Sequence, residues 1–194
     1  MDSNTRILYF ITSNNHKFKE ISRLFEEESL NYQLKQYDIE TLEIQSESIQ
    51  DVALAKLKSV KGKLRTSYFV EDAGFFVDNP LNGFPGVYSS YVMKTIGNEG
   101  ILRLITDFND SKAHFKTVIA LYFKPYDQTY FFEGEVYGKV SKNVRGKGGF
   151  GFDPIFIPNE YPERTFGELT QVEKNKISHR GKAWKKLIDF IKNL

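Results

Sequence analysis

RILYFITSNNHKFKEI, residues 6–21, passes from an apolar run through a polar turn into a helical stripe. Arg6 to Thr12 reads as a buried strand, because its apolar residues are continuous rather than alternating. Ser13-Asn14-Asn15 then supplies the small polar side chains that cap helix starts, and Phe18, Ile21, Leu24 and Phe25 recur at helical spacing. Outward from this strand, turn and helix, the same patterns predict a helix over Ile49 to Leu64. A short apolar strand follows, Tyr68 to Val70, ending in Glu71-Asp72-Ala73-Gly74. Asn98 to Phe108 reads as a helix, and His114 to Phe123 and Thr129 to Val140 as paired strands joined by the KPYDQ turn. On the second of these strands Phe132, Val136 and Val140 share one face with Gly134 and Gly138, whereas Glu133, Glu135 and Lys139 take the other. A last helix runs from Ser178 with Ala183, Trp184, Leu187, Ile188 and Ile191 on its stripe. The expectation is an α/β fold with a mixed sheet.

The bulk numbers bound what such a chain can do. It has 194 residues, 40% hydrophobic and 15% aromatic, enough for a real core in one domain or two closely packed lobes. No repeat or Pro/Ser-rich linker marks a boundary inside it. A net charge of +2, from 27 basic and 25 acidic residues spread along the chain, gives no overall field to recruit nucleic acid or a membrane. With no cysteine, disulfides, thiolate catalysis and cysteine-bound zinc are excluded. The first apolar run is too short for a signal peptide and no stretch approaches spanning length, so the expected location is the cytoplasm.

Five segments could carry chemistry. In Thr12 to Lys17 the strand-to-helix turn aims backbone N–H groups and the Lys17 ammonium at one spot, an anion site in outline, without the glycine frame or GK[ST] of a P-loop. Glu71-Asp72, with Glu43 upstream, offers hard oxygen donors of the kind magnesium uses to reach phosphates. Lys56 lies on the inward stripe of its helix with Val52, Ala53 and Val60, while Lys58 points away. RGKGGFGFDP, residues 145–154, combines glycines that allow close backbone approach with a stacking face on Phe150 and an acceptor on Asp153. Ser178-His179-Arg180 puts two potential cations in a first helical turn, against the helix dipole, with Lys174 just upstream. Each segment also has a purely structural reading: a capped helix, a polar turn, a snorkelling lysine, a glycine hairpin over buried aromatics, a solvated basic turn.

Four blocks in order, TSNNHKFKEI from Thr12, VEDAGFFVDNPLNGFPGVYSS from Val70, GGFGFDPIF from Gly148 and TFGELTQVEKNKISHRGKA from Thr165, resemble the inosine triphosphate pyrophosphatase family, the HAM1-like pyrophosphatases. The resemblance covers nearly the whole chain. It implies one domain over 1–194, an elongated α/β fold of two lobes around a mixed, strongly twisted sheet with flanking helices, and substrate in the cleft between the lobes. It implies a homodimer that hydrolyses ITP, dITP and XTP to the monophosphate and pyrophosphate with Mg2+.

The roles it implies follow residue by residue. Thr12, Ser13, Asn14, Asn15, His16 and Lys17 hold the triphosphate; Glu43 and Asp72 bind the metal, with Asp72 also the base that activates water. Lys17 and Lys56 stabilise charge on the phosphates. Ala73, Phe150, Gly151, Phe152, Asp153, Lys174, His179 and Arg180 complete the substrate site. Two positions depart from common family residues, Ala73 where many relatives have Ser or Thr and Phe152 where Tyr is common, while Ser13 falls where relatives have Gly or Ser within the first turn. The alternatives are a related house-cleaning pyrophosphatase with another base preference and a non-catalytic nucleotide- or RNA-binding module. The acids argue against the module, because carboxylates repel a phosphate ligand unless a metal intervenes.

Overall fold

The structure, a computed structural model, describes residues 6–28, 30–109 and 111–194. In chain order the elements are β1 (Arg6–Ile11), α1 (Asn15–Glu26), β2 (Tyr32–Tyr37), α2 (Ile49–Ser59), β3 (Tyr68–Val77), β4 (Pro85–Gly86) and α3 (Ser89–Thr95). Then come α4 (Gly97–Leu104), β5 (Lys112–Phe123), β6 (Gln128–Val140), β7 (Phe156–Pro158), α5 (Gln171–Ile177) and α6 (His179–Lys192). The strands form one sheet in the order β2-β1-β3-β5-β6-β7, with β4 on β3. β1 pairs in parallel with both β2 and β3, whereas β3–β4 and β6–β7 are antiparallel, so the sheet is mixed as expected. No helix among the described residues is long and apolar enough to cross a membrane.

The chain forms two compact units. The first runs through Asp72 and takes in Val118–Glu133 and Ala183–Leu194. Its core is built by Leu8 and Phe10 of β1, Ile21 and Phe25 of α1, Phe69 of β3, and Ala183, Trp184, Leu187, Ile188 and Ile191 of α6. Phe10 and Phe69 stack at 4.6 Å with an interplanar angle of 11°. Large apolar side chains of this kind contribute about 1.5–3 kcal/mol each when fully buried. The second unit comprises Ala73–Thr117 and Gly134–Lys182. Its core is aromatic: Phe75 meets Phe115 at 4.8 Å and Phe152 at 5.0 Å, and Phe115 meets Phe156 edge-on at 5.0 Å.

The elements differ from the sequence expectations at their ends. α2 stops at Ser59 rather than Leu64, because the chain turns through Val60 and reaches Gly62 in the left-handed region, φ +86°. β3 does not end before the acids but continues to Val77, so Glu71 and Asp72 sit in mid-strand. Its pairing with β1 stops at Phe69 and its pairing with β4 begins at Phe75. The acids fall in the interval between. α4 ends at Leu104, and Ile96 separates its first residue, Gly97 with φ +60°, from α3, a helix that the periodicity did not predict. β6 alternates as expected, with Phe132, Gly134, Val136 and Val140 buried and Tyr137 and Lys139 exposed.

Candidate functional site

In the first unit the chemistry gathers at the carboxyl end of β1 and around β3, where ligands approach open α/β sheets. The turn after β1 is tightly self-bonded. Thr12 Oγ1 accepts from the Asn14 amide at 3.0 Å, and Asn14, the N-cap of α1, accepts from the amides of His16 and Lys17 at 3.0 and 3.1 Å. Three amides expected to face an anion are thus satisfied within the turn itself. Ser13, Asn15 and His16 are exposed. The Lys17 side chain crosses to β3, where its ammonium meets the Glu71 carboxylate at 2.9 Å and the Glu71 carbonyl at 3.2 Å.

Lys56, on the stripe of α2, turns toward acidic groups. Its ammonium lies 2.7 Å from Asp72 Oδ1 and 2.7 Å from Glu43 Oε1. Glu43 comes from the irregular segment before α2 with a side chain 71% exposed, whereas Asp72 is buried. Burial pushes the Asp72 carboxyl up from its ordinary value, aided by the charge on Glu71 and opposed by Lys56 and Lys17. For Lys56 burial acts downward, but Asp72 and Glu43 together outweigh it and hold the ammonium above the usual lysine value. The four groups expected to act together, Lys17, Glu43, Lys56 and Asp72, are therefore assembled within this unit.

The second unit assembles the other set. Asp153 Oδ2 accepts from the Phe150 amide and from Lys174 Nζ, each at 2.7 Å, and the Asp153 and Lys174 side chains are only 4% and 3% exposed. Gly149 and Gly151 take left-handed φ, +69° and +64°, which lets the loop fold back over Asp153; a Cβ on Gly149 would lie 2.1 Å from Asp153 Oδ2. Phe150 is flanked by cations, with Lys174 Nζ 5.2 Å and Arg180 Cζ 5.3 Å from its ring centroid. His179 stacks on Phe115 at 4.7 Å and 8°. His179 and Arg180 are buried rather than spread on a solvated turn, and the Gly181 amide donates to Ser178 Oγ at 3.1 Å, the cap expected for α6. Phe152 is placed in the core against Phe75, and Ala73 is half-buried in β3.

Two further residues touch these sets and escaped sequence reading. Asn98, on the first turn of α4, donates from Nδ2 to the Gly151 carbonyl at 3.2 Å. Gln36, on β2, donates from Nε2 to the Thr12 carbonyl at 2.9 Å and to Asn15 Oδ1 at 3.2 Å. Gln36 left a trace in the sequence: in YQLKQY it is the polar residue on the face of Tyr32 and Leu34, both packed against the core.

A sequence profile of the Ham1 family matches residues 8–190. The dITP/XTP pyrophosphatases of Pyrococcus horikoshii and Thermococcus kodakarensis are each 44% identical over 185 residues, which is 95% of this chain and 96% and 97% of theirs. Among solved structures, a HAM1 protein from Coxiella burnetii has a TM-score of 0.85 at 26% identity over 97% of this chain and 100% of that one. The Ham1 protein of Staphylococcus aureus has a TM-score of 0.82 at 26% identity, over 97% and 99%. Matched from β1 almost to the end of α6, in sequence and in fold, this chain belongs to the Ham1 family.

Proposed function

We propose that this protein hydrolyses the abnormal purine nucleoside triphosphates ITP, dITP and XTP between the α and β phosphates, releasing the monophosphate and pyrophosphate. The observation that carries this is the buried Asp72 carboxylate in ion pairs that also engage Glu43 through Lys56. The curated relatives named dITP/XTP pyrophosphatase, matched along 95% of this chain, support it.

Cutting a phosphoanhydride needs an aligned water and neutralised charge on the leaving pyrophosphate, which is chiefly positioning and electrostatics. Asp72 is the base: its buried carboxylate is the group that takes the proton of the attacking water. Lys17 and Lys56 sit beside it as the cations that meet developing negative charge. The residues fit magnesium, because two carboxylates already converge on one cationic centre and offer the one or two oxygen ligands that magnesium takes alongside substrate phosphates. Glu43 and Asp72 would hold it, and when bound it supplies charge neutralisation at the phosphates. In the second unit Lys174, His179 and Arg180 are donors, which suit the 6-keto acceptor of hypoxanthine and xanthine and leave the 6-amino donor of adenine unpaired. A site of this kind discriminates by about 10⁴-fold or more. A homodimer in the cytoplasm belongs to the same proposal, supported by the resemblance alone.

The test is pyrophosphate release from ITP, dITP, XTP, GTP and ATP, with and without magnesium. ITP, dITP and XTP should lead ATP by orders of magnitude, and chelation should stop the reaction. Asp72→Asn should cut kcat by about 10²–10⁴-fold, the contribution of a positioned base, while nucleotide still binds. Equal rates on every purine triphosphate, or an Asp72→Asn enzyme at near-normal rate, would overturn the proposal.

A further inference from the structure

We propose that Gln36 is a positioning residue for the triphosphate chain, one that fixes which end of the Asn15 amide faces the ligand. This deepens the pyrophosphatase reading and rests on it. β2 lies at the edge of the sheet in parallel register with β1, Gln36 opposite Phe10. The Tyr32, Leu34 and Gln36 side chains alternate onto one face, and the first two join the core. Gln36 comes last on that face, beside the turn that follows β1.

The hydrogen-bond chemistry assigns the orientation. The Thr12 carbonyl, 2.9 Å from Gln36, can only accept, so the amino end of Gln36 faces it. That amino group has a second hydrogen, and the atom it meets on Asn15 at 3.2 Å must be the carboxamide oxygen. The Asn15 amino group therefore points away from Gln36, and Asn15 is exposed. The neighbouring amides of Asn14, His16 and Lys17 are satisfied inside the turn, and the exposed Asn15 side chain is a neutral donor that the turn can offer an anion. Without Gln36 the carboxamide is free to turn, so a bound phosphate has to order it rather than meet a donor already in place. Ordering one such side chain at a binding site costs about 0.5–1.5 kcal/mol, so losing the lock lowers affinity roughly twofold to tenfold.

The experiment compares Gln36→Glu and Gln36→Met. The carboxylate of Gln36→Glu can only accept, so it draws the Asn15 amino group inward and turns the oxygen outward; Gln36→Met only removes the lock. KM for ITP should rise in the order wild type, Met, Glu, with kcat changed by no more than about threefold. Binding of inorganic tripolyphosphate, followed by calorimetry, should weaken in the same order while IMP binding stays constant. In an Asn15→Ala background Gln36→Met should lose its effect, since the group that it orients is gone, and Gln36→Glu should keep only the part that its added charge contributes. A KM unchanged in both variants, or the full Gln36→Met loss persisting in Asn15→Ala, overturns the positioning role. Wild-type protein that binds tripolyphosphate with this Gln36 dependence yet cleaves no nucleotide would instead overturn the pyrophosphatase reading and leave the role of Gln36 standing.

Discussion

Lys174 and Asp153 show how much one polar residue can cost when its partner is removed. Both side chains are almost fully buried and meet at 2.7 Å. Removing one member of such a pair leaves an uncompensated buried charge, so Lys174→Met should destabilise the fold by about 3–5 kcal/mol in urea denaturation. Replacing both partners with apolar residues of similar volume should recover much of that loss. Glu173, the neighbouring residue, acts through pH instead. Its carboxylate accepts from Arg164 at 2.7 Å, from the Thr170 amide at 2.8 Å and from Thr170 Oγ1 at 2.9 Å, and these bonds, that to Arg164 first, lower its pKa from 4.5 to about 2. A depressed carboxylate stabilises the folded state above its unfolded pKa and loses that contribution as pH falls through the folded value. The melting-temperature gap between wild type and Glu173→Gln should therefore be full near neutrality and shrink between pH 4.5 and about 2. A constant gap would show that the Glu173 charge does not contribute. Residues of this kind differ in how legible they are. Lys56 stood out because a lysine on an apolar stripe breaks a period, whereas Asn98 and Gln36 act through contacts of 53 and 21–24 residues' separation that no local pattern carries.

At the scale of elements, long amphipathic segments were readable and short or interrupted ones were not. α1, β5, β6 and α6 came through because their stripes or alternations span several turns or pleats. β2 has only Tyr32 and Leu34 to mark its core face, and α3, β4 and β7 are too short to show a period. β3 was cut short at Val70 because two acids follow, and acids rarely lie buried in a strand unless paired. Lys17 and Lys56 provide those pairings, so the break in pattern coincides with the candidate site. The junction of α5 and α6 carries the element-scale prediction. Gly181 lies in the first turn of α6, where helix propensity alone would make alanine better than glycine by about 1 kcal/mol. A Cβ there would sit 1.9 Å from the Asn175 carbonyl oxygen and 3.0 Å from its carbon, both backbone atoms. Overpacking against backbone costs about 1–3 kcal/mol and decides the sign. Gly181→Ala should lower the denaturation midpoint, and an unchanged or raised midpoint would mean that the helices part at little cost.

Across the whole molecule, the chain passes between the two units at Asp72/Ala73, Thr117/Val118, Glu133/Gly134 and Lys182/Ala183. Those passages fall inside β3, β5, β6 and α6 respectively, so none is a loop or linker. Separate domains join through exposed, flexible segments where few contacts cross, and this chain has none at its boundaries. If the first unit melts, the β3, β5 and β6 backbones lose half their length along with it, and the second unit loses the continuations of its own strands. Unfolding should therefore be a single cooperative event. The sequence supplies the probe, since its single tryptophan, Trp184, is buried in the first core against Phe69 at 5.6 Å. Its fluorescence reports that unit alone, while far-UV circular dichroism reports the secondary structure of both. The two signals should give coincident denaturation curves. In Leu187→Ala, which removes about 2–5 kcal/mol of packing from the first core, both should shift together. A fluorescence transition that moved ahead of the dichroism transition would show that strands shared along the chain do not couple the units.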